Sequence, residues 1–128
     1  MDLSDYFSNV IGFGVLATAD ADGRVNLAVY ARPHVLADGT LAMIMRDRLS
    51  HHNLQSNPCA AYLFREEGPG GFRGKRLHLT KIAEEKDTPR IEELKRRHPS
   101  LAKDTDRGSL FLVIFQVDRV LPLIGSGD

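Results

Sequence analysis

Arg46-Asp-Arg-Leu-Ser50-His-His-Asn-Leu54-Gln-Ser-Asn-Pro58 is the stretch on which the reading of this chain turns. Leu41-Ala-Met-Ile-Met45 leads into it, and Cys59-Ala-Ala-Tyr-Leu-Phe64 leaves it. Both flanking runs are apolar and of strand length. Asn57-Pro58 stops a helix, because a residue before proline is biased away from the α region. Ser50 is the expected N-cap. The segment therefore reads as strand, one or two helical turns, strand. Arg46, Arg48, Ser50, His51 and His52 cluster at the helix start, where exposed N–H groups and the helix dipole favour an anion.

Upstream, Leu3, Tyr6, Phe7 and Val10 recur at helical spacing, with Asp2 or Ser4 as a cap. Gly12 and Gly14 are expected to end that helix. Phe13 to Thr18 is a strand, and Asp20-Ala-Asp22-Gly23 is a turn. Arg24 to Tyr30 alternates. Val25, Leu27, Val29 and Ala31 form one face, expected to be buried, and Asn26, Ala28, Tyr30 and Arg32 form a more polar one. Pro33 interrupts pairing. Asp38-Gly39 turns the chain into Thr40 to Arg46. Arg24 and Arg32 sit at strand ends and could join the cations of the central stretch around a phosphate.

Downstream, Arg65 to Gly74 is a glycine-rich loop. Lys75 to Ile82 alternates again. Thr88-Pro89 opens a helix carrying Ile91, Leu94 and His98, and Pro99 closes it. Ser109 to Phe115 is continuously apolar, as a strand buried on both faces would be. The tail from Val120 to Ile124 is expected to fray. About six short strands with short helices and tight turns favour a mainly β, closed or half-closed barrel. The whole chain, 1–128, is expected to form one domain.

Seventeen Lys and Arg balance seventeen Asp and Glu, so the chain lacks the basic excess of a nucleic-acid binder. The single cysteine, Cys59, cannot form an internal disulfide. No apolar run approaches a membrane span, and Met1 to Asp5 carries acids where a signal peptide has cations. A cytoplasmic protein is expected.

Several motifs fail on spacing. A Walker loop ending at Gly74-Lys75 would need a glycine where Pro69 stands and a hydroxyl where Arg76 stands. A dinucleotide fingerprint would need glycine at Arg73. Adjacent His51 and His52 point about 100° apart on a helix and cannot share a metal, so no metal site is expected. No Ser-His-Asp or Cys-His pattern can be read.

The order strand, strand ending near Arg32-Pro33, Asp-Gly turn, strand, and then Asn53-Leu54-Gln55-Ser56-Asn57-Pro58 resembles the pyridoxamine 5'-phosphate oxidase-like family over roughly residues 10 to 83. The resemblance implies an FMN-binding split barrel of six strands. It implies FMN lying across Val29, Tyr30 and Ala31 and across Met43, Ile44 and Met45. Arg46, Leu49, Ser50, His51 and His52 would surround the phosphate, and Arg76 would approach the cofactor. It implies a homodimer with FMN at the interface, with Leu77, Leu79, Phe111 and Leu123 as candidate contact surface. Two features depart from the oxidases. Ser50, His51 and His52 occupy the neighbourhood of their phosphate-segment lysine, and their C-terminal substrate-binding arginine and histidine pattern is not found.

The expected function is an FMN-dependent oxidoreductase moving electrons or hydride between a small donor and acceptor, with no catalytic side chain assigned. A flavin carrier or sensor, or a barrel that takes haem or a deazaflavin, is the alternative.

Overall fold

The computed structural model describes residues 2–97 and 108–125. The elements run α1 (Leu3–Asn9), β1 (Gly12–Ala19), β2 (Val25–Val29), β3 (His34–Val35), β4 (Leu41–Arg46), α2 (Leu49–Ser56), β5 (Cys59–Glu66), β6 (Gly74–Lys86), α3 (Pro89–Arg97) and β7 (Leu110–Pro122). The fold is mainly β, with one antiparallel sheet in the order β2-β1-β5-β6-β7-β4-β3.

The sheet wraps around its own core. Leu16 of β1, Tyr62 and Phe64 of β5, Leu77 and Leu79 of β6, Phe111, Val113 and Phe115 of β7, and Leu41, Met43 and Met45 of β4 share one buried cluster. Strands far apart in the sheet order can touch the same side chains only if the sheet curls into a barrel. Phe7 of α1 and Leu54 of α2 are buried in that same core. A second cluster lies outside the barrel wall, where Ile91 and Leu94 of α3 cover Ala42, Leu110, Leu112 and Ile114. This explains the unbroken apolar run of β7. Its odd residues face the barrel and its even residues face α3, so neither side meets water.

Helix starts and turns follow local chemistry. Asp2 caps α1, its carboxylate accepting from the Ser4 and Asp5 backbone N–H groups. Asp20 and Asp38 brace the two Asp-Gly turns through their own backbone-directed carboxylates.

Several expectations are corrected. Seven strands form rather than six, because His34–Val35 pairs with β4 for two residues after Pro33. Gly12 and Gly14 do not end α1, which closes at Val10; they lie within β1. The N-cap of α2 is Arg48, not Ser50, and Ser50 is buried inside the first turn. β6 and β7 run past their expected ends, to Lys86 and Pro122, with β6 bulged near His78 and Lys81. Leu77, Leu79 and Phe111 are core residues of this chain and not free contact surface. His98 and Pro99 lie outside the described residues.

The largest correction concerns β2. Its apolar face points outward, leaving Val25, Leu27 and Val29 80%, 70% and 69% exposed. Asn26 and Ala28 face inward instead. The register with β1 requires this, since Ala28 lies opposite the buried Leu16 and Leu27 lies opposite Ala17 on the other face. Small inward residues leave room for α2, which packs against both β1 and β2.

Candidate functional site

α2 is fixed before any ligand is considered. Asn53, buried, donates its side-chain amide to the buried Thr18 hydroxyl of β1 at 3.1 Å. Asn57 accepts the Cys59 backbone N–H at 3.0 Å and reaches the Asp20 carbonyl at 3.4 Å. The two asparagines of the Asn53-to-Pro58 signature are therefore braces that hold a short helix across the barrel mouth.

That brace sets the start of α2 beside the end of β2. Tyr30 lies beside Ser50 and the Arg48 charge, and both bear on its phenol. Burial pushes the Tyr30 phenol up, and the Ser50 hydrogen bond and Arg48 pull it partly back. Tyr30 therefore stays neutral and able to donate at ordinary pH. Arg48 occupies the N-cap with extended backbone and makes no side-chain capping bond to the helix. Ordinary caps are Ser, Thr, Asp or Asn, which accept from the first-turn N–H groups. Here the cap residue is an arginine, which cannot accept from those N–H groups, and exposed N–H groups at a helix start favour an anion.

The backbone behind Tyr30 is held from inside the barrel. The Tyr30 N–H donates to the Gly14 carbonyl at 3.0 Å. The Tyr62 hydroxyl lies 3.1 Å from the Tyr30 carbonyl and 3.0 Å from that of Ala31. A Cβ on Gly14 would stand 1.9 Å from the Tyr62 oxygen, so only glycine allows this approach. Tyr62 was read simply as a strand residue, and no local signal in its apolar run distinguishes this role.

Opposite β2 lies β4. Its pairing with β3 covers only Leu41 and Ala42, whereas β7 pairs with all of Leu41 to Arg46. Among the described residues, the edge of β4 from Met43 to Arg46 has no strand on its β3 side. Met43 and Met45 point into the barrel, and Ile44 packs against the α3 cluster. The seam of the curled sheet is therefore bounded by the outer edge of β2 and the open edge of β4, and α2 packs against both strands.

Not every cation expected there arrives. The Arg32 guanidinium donates to the Phe7 and Val10 carbonyls, capping the end of α1. Arg24 is exposed in the β1–β2 turn. Arg46 shares the face of Ile44 and donates to the Gly108 carbonyl at 2.5 Å. Arg76 lies on the outer sheet face, in the row Val29–Val15–Leu63–Arg76, three strands and roughly 14 Å from β2. Its guanidinium donates to the carbonyls of Pro122 and Gly125. Leu49 and His52 are exposed beside the helix start, as are Val29 and Ala31 on the strand side. His51 turns away from them. Its buried ring stacks on Phe111 with centroids 3.8 Å apart and faces Asp47 and Glu84. Glu84 lies 33 residues from His51 in the chain, so no local pattern in the sequence marks the pair.

Among the described residues no group of three or more His, Cys, Asp or Glu side chains could hold a metal ion. No helix among them is long and apolar enough to cross a membrane.

The sequence matches no family model, and no curated protein matches it. Solved structures do share the fold. An FMN-binding protein from Syntrophomonas wolfei subsp. wolfei superposes with a TM-score of 0.77 at 16% identity, over 97% of this chain and 85% of its own. HutZ, the heme storage protein of Vibrio cholerae, gives 0.70 at 14%, over 98% and 96%. A protein assigned as a pyridoxamine 5'-phosphate oxidase from Lactobacillus delbrueckii gives 0.64 at 18%, over 92% and 88%. The fold is thus the split barrel of pyridoxamine 5'-phosphate oxidase-like proteins, as the Asn-Pro signature implied.

Proposed function

We propose that this chain binds FMN in the seam between β2 and β4 and acts as a flavin-dependent oxidoreductase on a small donor or acceptor. The start of α2 carries the reading. A cation at the N-cap, a buried serine hydroxyl and a neutral tyrosine hydroxyl converge there on the positive end of a helix. That donor set suits a phosphate monoester. The seam beside it, edged by Val29 to Ala31 and by Met43 to Met45, suits a flat heteroaromatic ring. Bound FMN would supply the electron-accepting chemistry. The chain's own residues would orient the ring, hold the phosphate and exclude water from one face. Similarity to an FMN-binding protein over nearly the whole chain supports the choice of flavin.

Arg48 and Ser50 are the proposed phosphate ligands. Arg46, directed to Gly108, is left with an indirect part. His51 faces the carboxylates of Asp47 and Glu84 and stacks on Phe111, so it is not among the proposed phosphate ligands.

Two copies are proposed to pair through the outer face of β2, β1 and β5. Rows Leu27–Ala17–Ala61 and Val29–Val15–Leu63 cross all three strands there. Exposed contiguous apolar surface of this kind marks an interaction face. Arg76 and His78 continue the same rows onto β6, so a partner chain could bring Arg76 to a cofactor that it does not reach within its own chain.

A second reading is haem in the same seam, favoured by the likeness to HutZ over almost both chains and by the exposed His52 beside the start of α2.

The test is titration of the protein with FMN and with riboflavin, followed by flavin fluorescence. Arg48→Ala combined with Ser50→Ala should weaken FMN binding by at least about tenfold, as expected for losing hydrogen bonds to a charged group. Riboflavin binding should stay unchanged. Equal loss for both ligands would move the phosphate elsewhere.

A further inference from the structure

We propose that Tyr62 is a positioning residue: its hydroxyl turns the peptide units after Tyr30 so that two successive N–H groups, those of Ala31 and Arg32, face the seam as a donor pair for the acceptor edge of a flat heteroaromatic ring. This role rests on the FMN reading above and gives the ring end of the ligand, not its phosphate, to this part of the chain.

The geometry starts from strand alternation. In an extended strand the N–H and C=O of one residue point to the same side, and those of the next residue to the other. The Tyr30 N–H points at β1, where it donates to the Gly14 carbonyl at 3.0 Å. The Tyr30 carbonyl follows it inward, to 3.1 Å from the Tyr62 hydroxyl. Peptide units are planar and trans, so the Ala31 N–H points the opposite way. That is the outer edge of the β2 segment, the last strand in the sheet order. Continued alternation would send the Ala31 carbonyl to that edge as well. Instead it turns back to lie 3.0 Å from the same Tyr62 oxygen. By the same planarity the Arg32 N–H then turns away from the barrel. The edge beside the seam thus presents two donors and no acceptor over these two peptide units. Among the described residues neither N–H has a hydrogen-bond acceptor, and Ala31 is exposed. Pro33 follows without an N–H, so the pair ends there.

The arrangement is anchored in the core. Tyr62 is fully buried, with its ring against Phe7 and Phe64. The space left by Gly14 gives its hydroxyl access to Tyr30. Burial pushes the Tyr62 phenol up, against the pull of the Arg32 charge, so the hydroxyl keeps its proton. A phenol has one proton to donate and both carbonyls only accept, so the two share it. The pyrimidine edge of a flavin carries carbonyl oxygens and ring nitrogens that accept hydrogen bonds. Donors already fixed in place need no ordering when such an edge binds. Riboflavin has the same edge as FMN and lacks the phosphate, so the two ligands separate this end of the site from the start of α2.

The experiment titrates the full chain with FMN and with riboflavin. Tyr62→Phe keeps the buried ring and removes the hydroxyl. It should weaken both ligands equally, by about tenfold, as expected for hydrogen bonds lost when their donors are no longer held. Replacing Tyr62 with para-aminophenylalanine, which offers one N–H to each carbonyl, should restore both affinities. A Tyr62→Phe protein that binds both flavins as the wild type does would overturn the role. So would a loss confined to FMN, or an aminophenylalanine protein that binds no better than Tyr62→Phe. Amide exchange in the wild type decides the matter where Tyr62→Phe fails to fold. The Ala31 and Arg32 amides should exchange freely without flavin and at least about tenfold more slowly with saturating riboflavin. Amides that riboflavin does not slow would overturn the donor pair. A wild-type chain that takes up neither flavin refutes the FMN reading and the donor role together. Wild-type uptake that Tyr62→Phe leaves unchanged refutes the role of Tyr62 alone.

Discussion

A single missing side chain shapes the mouth of this barrel. Gly14 lets the Tyr62 hydroxyl reach the carbonyls of Tyr30 and Ala31, and its own carbonyl accepts the Tyr30 N–H. A methyl group there would sit 1.9 Å from the Tyr62 oxygen and 2.6 Å from the Tyr30 carbonyl oxygen. One of those contacts is backbone, so the strain cannot be relieved by rotating a side chain. Gly14→Ala should destabilise the fold by at least the ~1–3 kcal/mol typical of overpacking. Urea denaturation measures this, and an unchanged midpoint would show that the Tyr30 segment is not held as described. This role was hidden in the sequence. Gly12 and Gly14 look like helix terminators because glycine commonly ends helices, whereas here the constraint is a long-range steric one. Ser50 shows the same limit. Its residue type fits an N-cap, but the actual cap position falls on Arg48, which cannot accept from the first-turn N–H groups.

At the scale of the element, α2 shows what local pattern can and cannot convey. Its existence, its stop at Asn57-Pro58 and its place between two strands follow from periodicity and proline alone. The jobs of its side chains do not, because each is set by a residue far along the chain: Thr18 for Asn53, Tyr30 for Ser50, Glu84 for His51. Asn53→Ala would leave the buried Thr18 hydroxyl without its amide donor and should cost about 1–3 kcal/mol. Adding Thr18→Val should recover part of that loss, since removing both partners is cheaper than removing one. Equilibrium unfolding of the two single variants and the double variant measures the coupling. Strict additivity would mean the pair does not brace α2. β2 gives the complementary lesson. Alternation correctly divides its residues into an apolar and a more polar face. It carries no information on which face the core takes, and the register with Leu16 of β1 turned the small residues inward. β7 was more legible, because a run apolar at every position can only be covered on both sides.

At the scale of the molecule, the barrel is closed by its core but open along the seam between β2 and β4. The same curl puts the apolar rows of β2, β1 and β5 outside. If two chains bury these rows against each other, Leu27→Lys should convert a dimer into a monomer. Sedimentation at micromolar concentration reads this directly, and a wild-type chain that sediments as a monomer would remove the pairing. The FMN site is the central claim, and the absorbance spectrum of the purified chain before and after adding FMN is its most direct test. The account predicts the flavin absorption bands in the protein fraction, shifted from those of free FMN and retained through gel filtration. A chain that stays colourless after FMN and acquires a Soret band only with haem would contradict it.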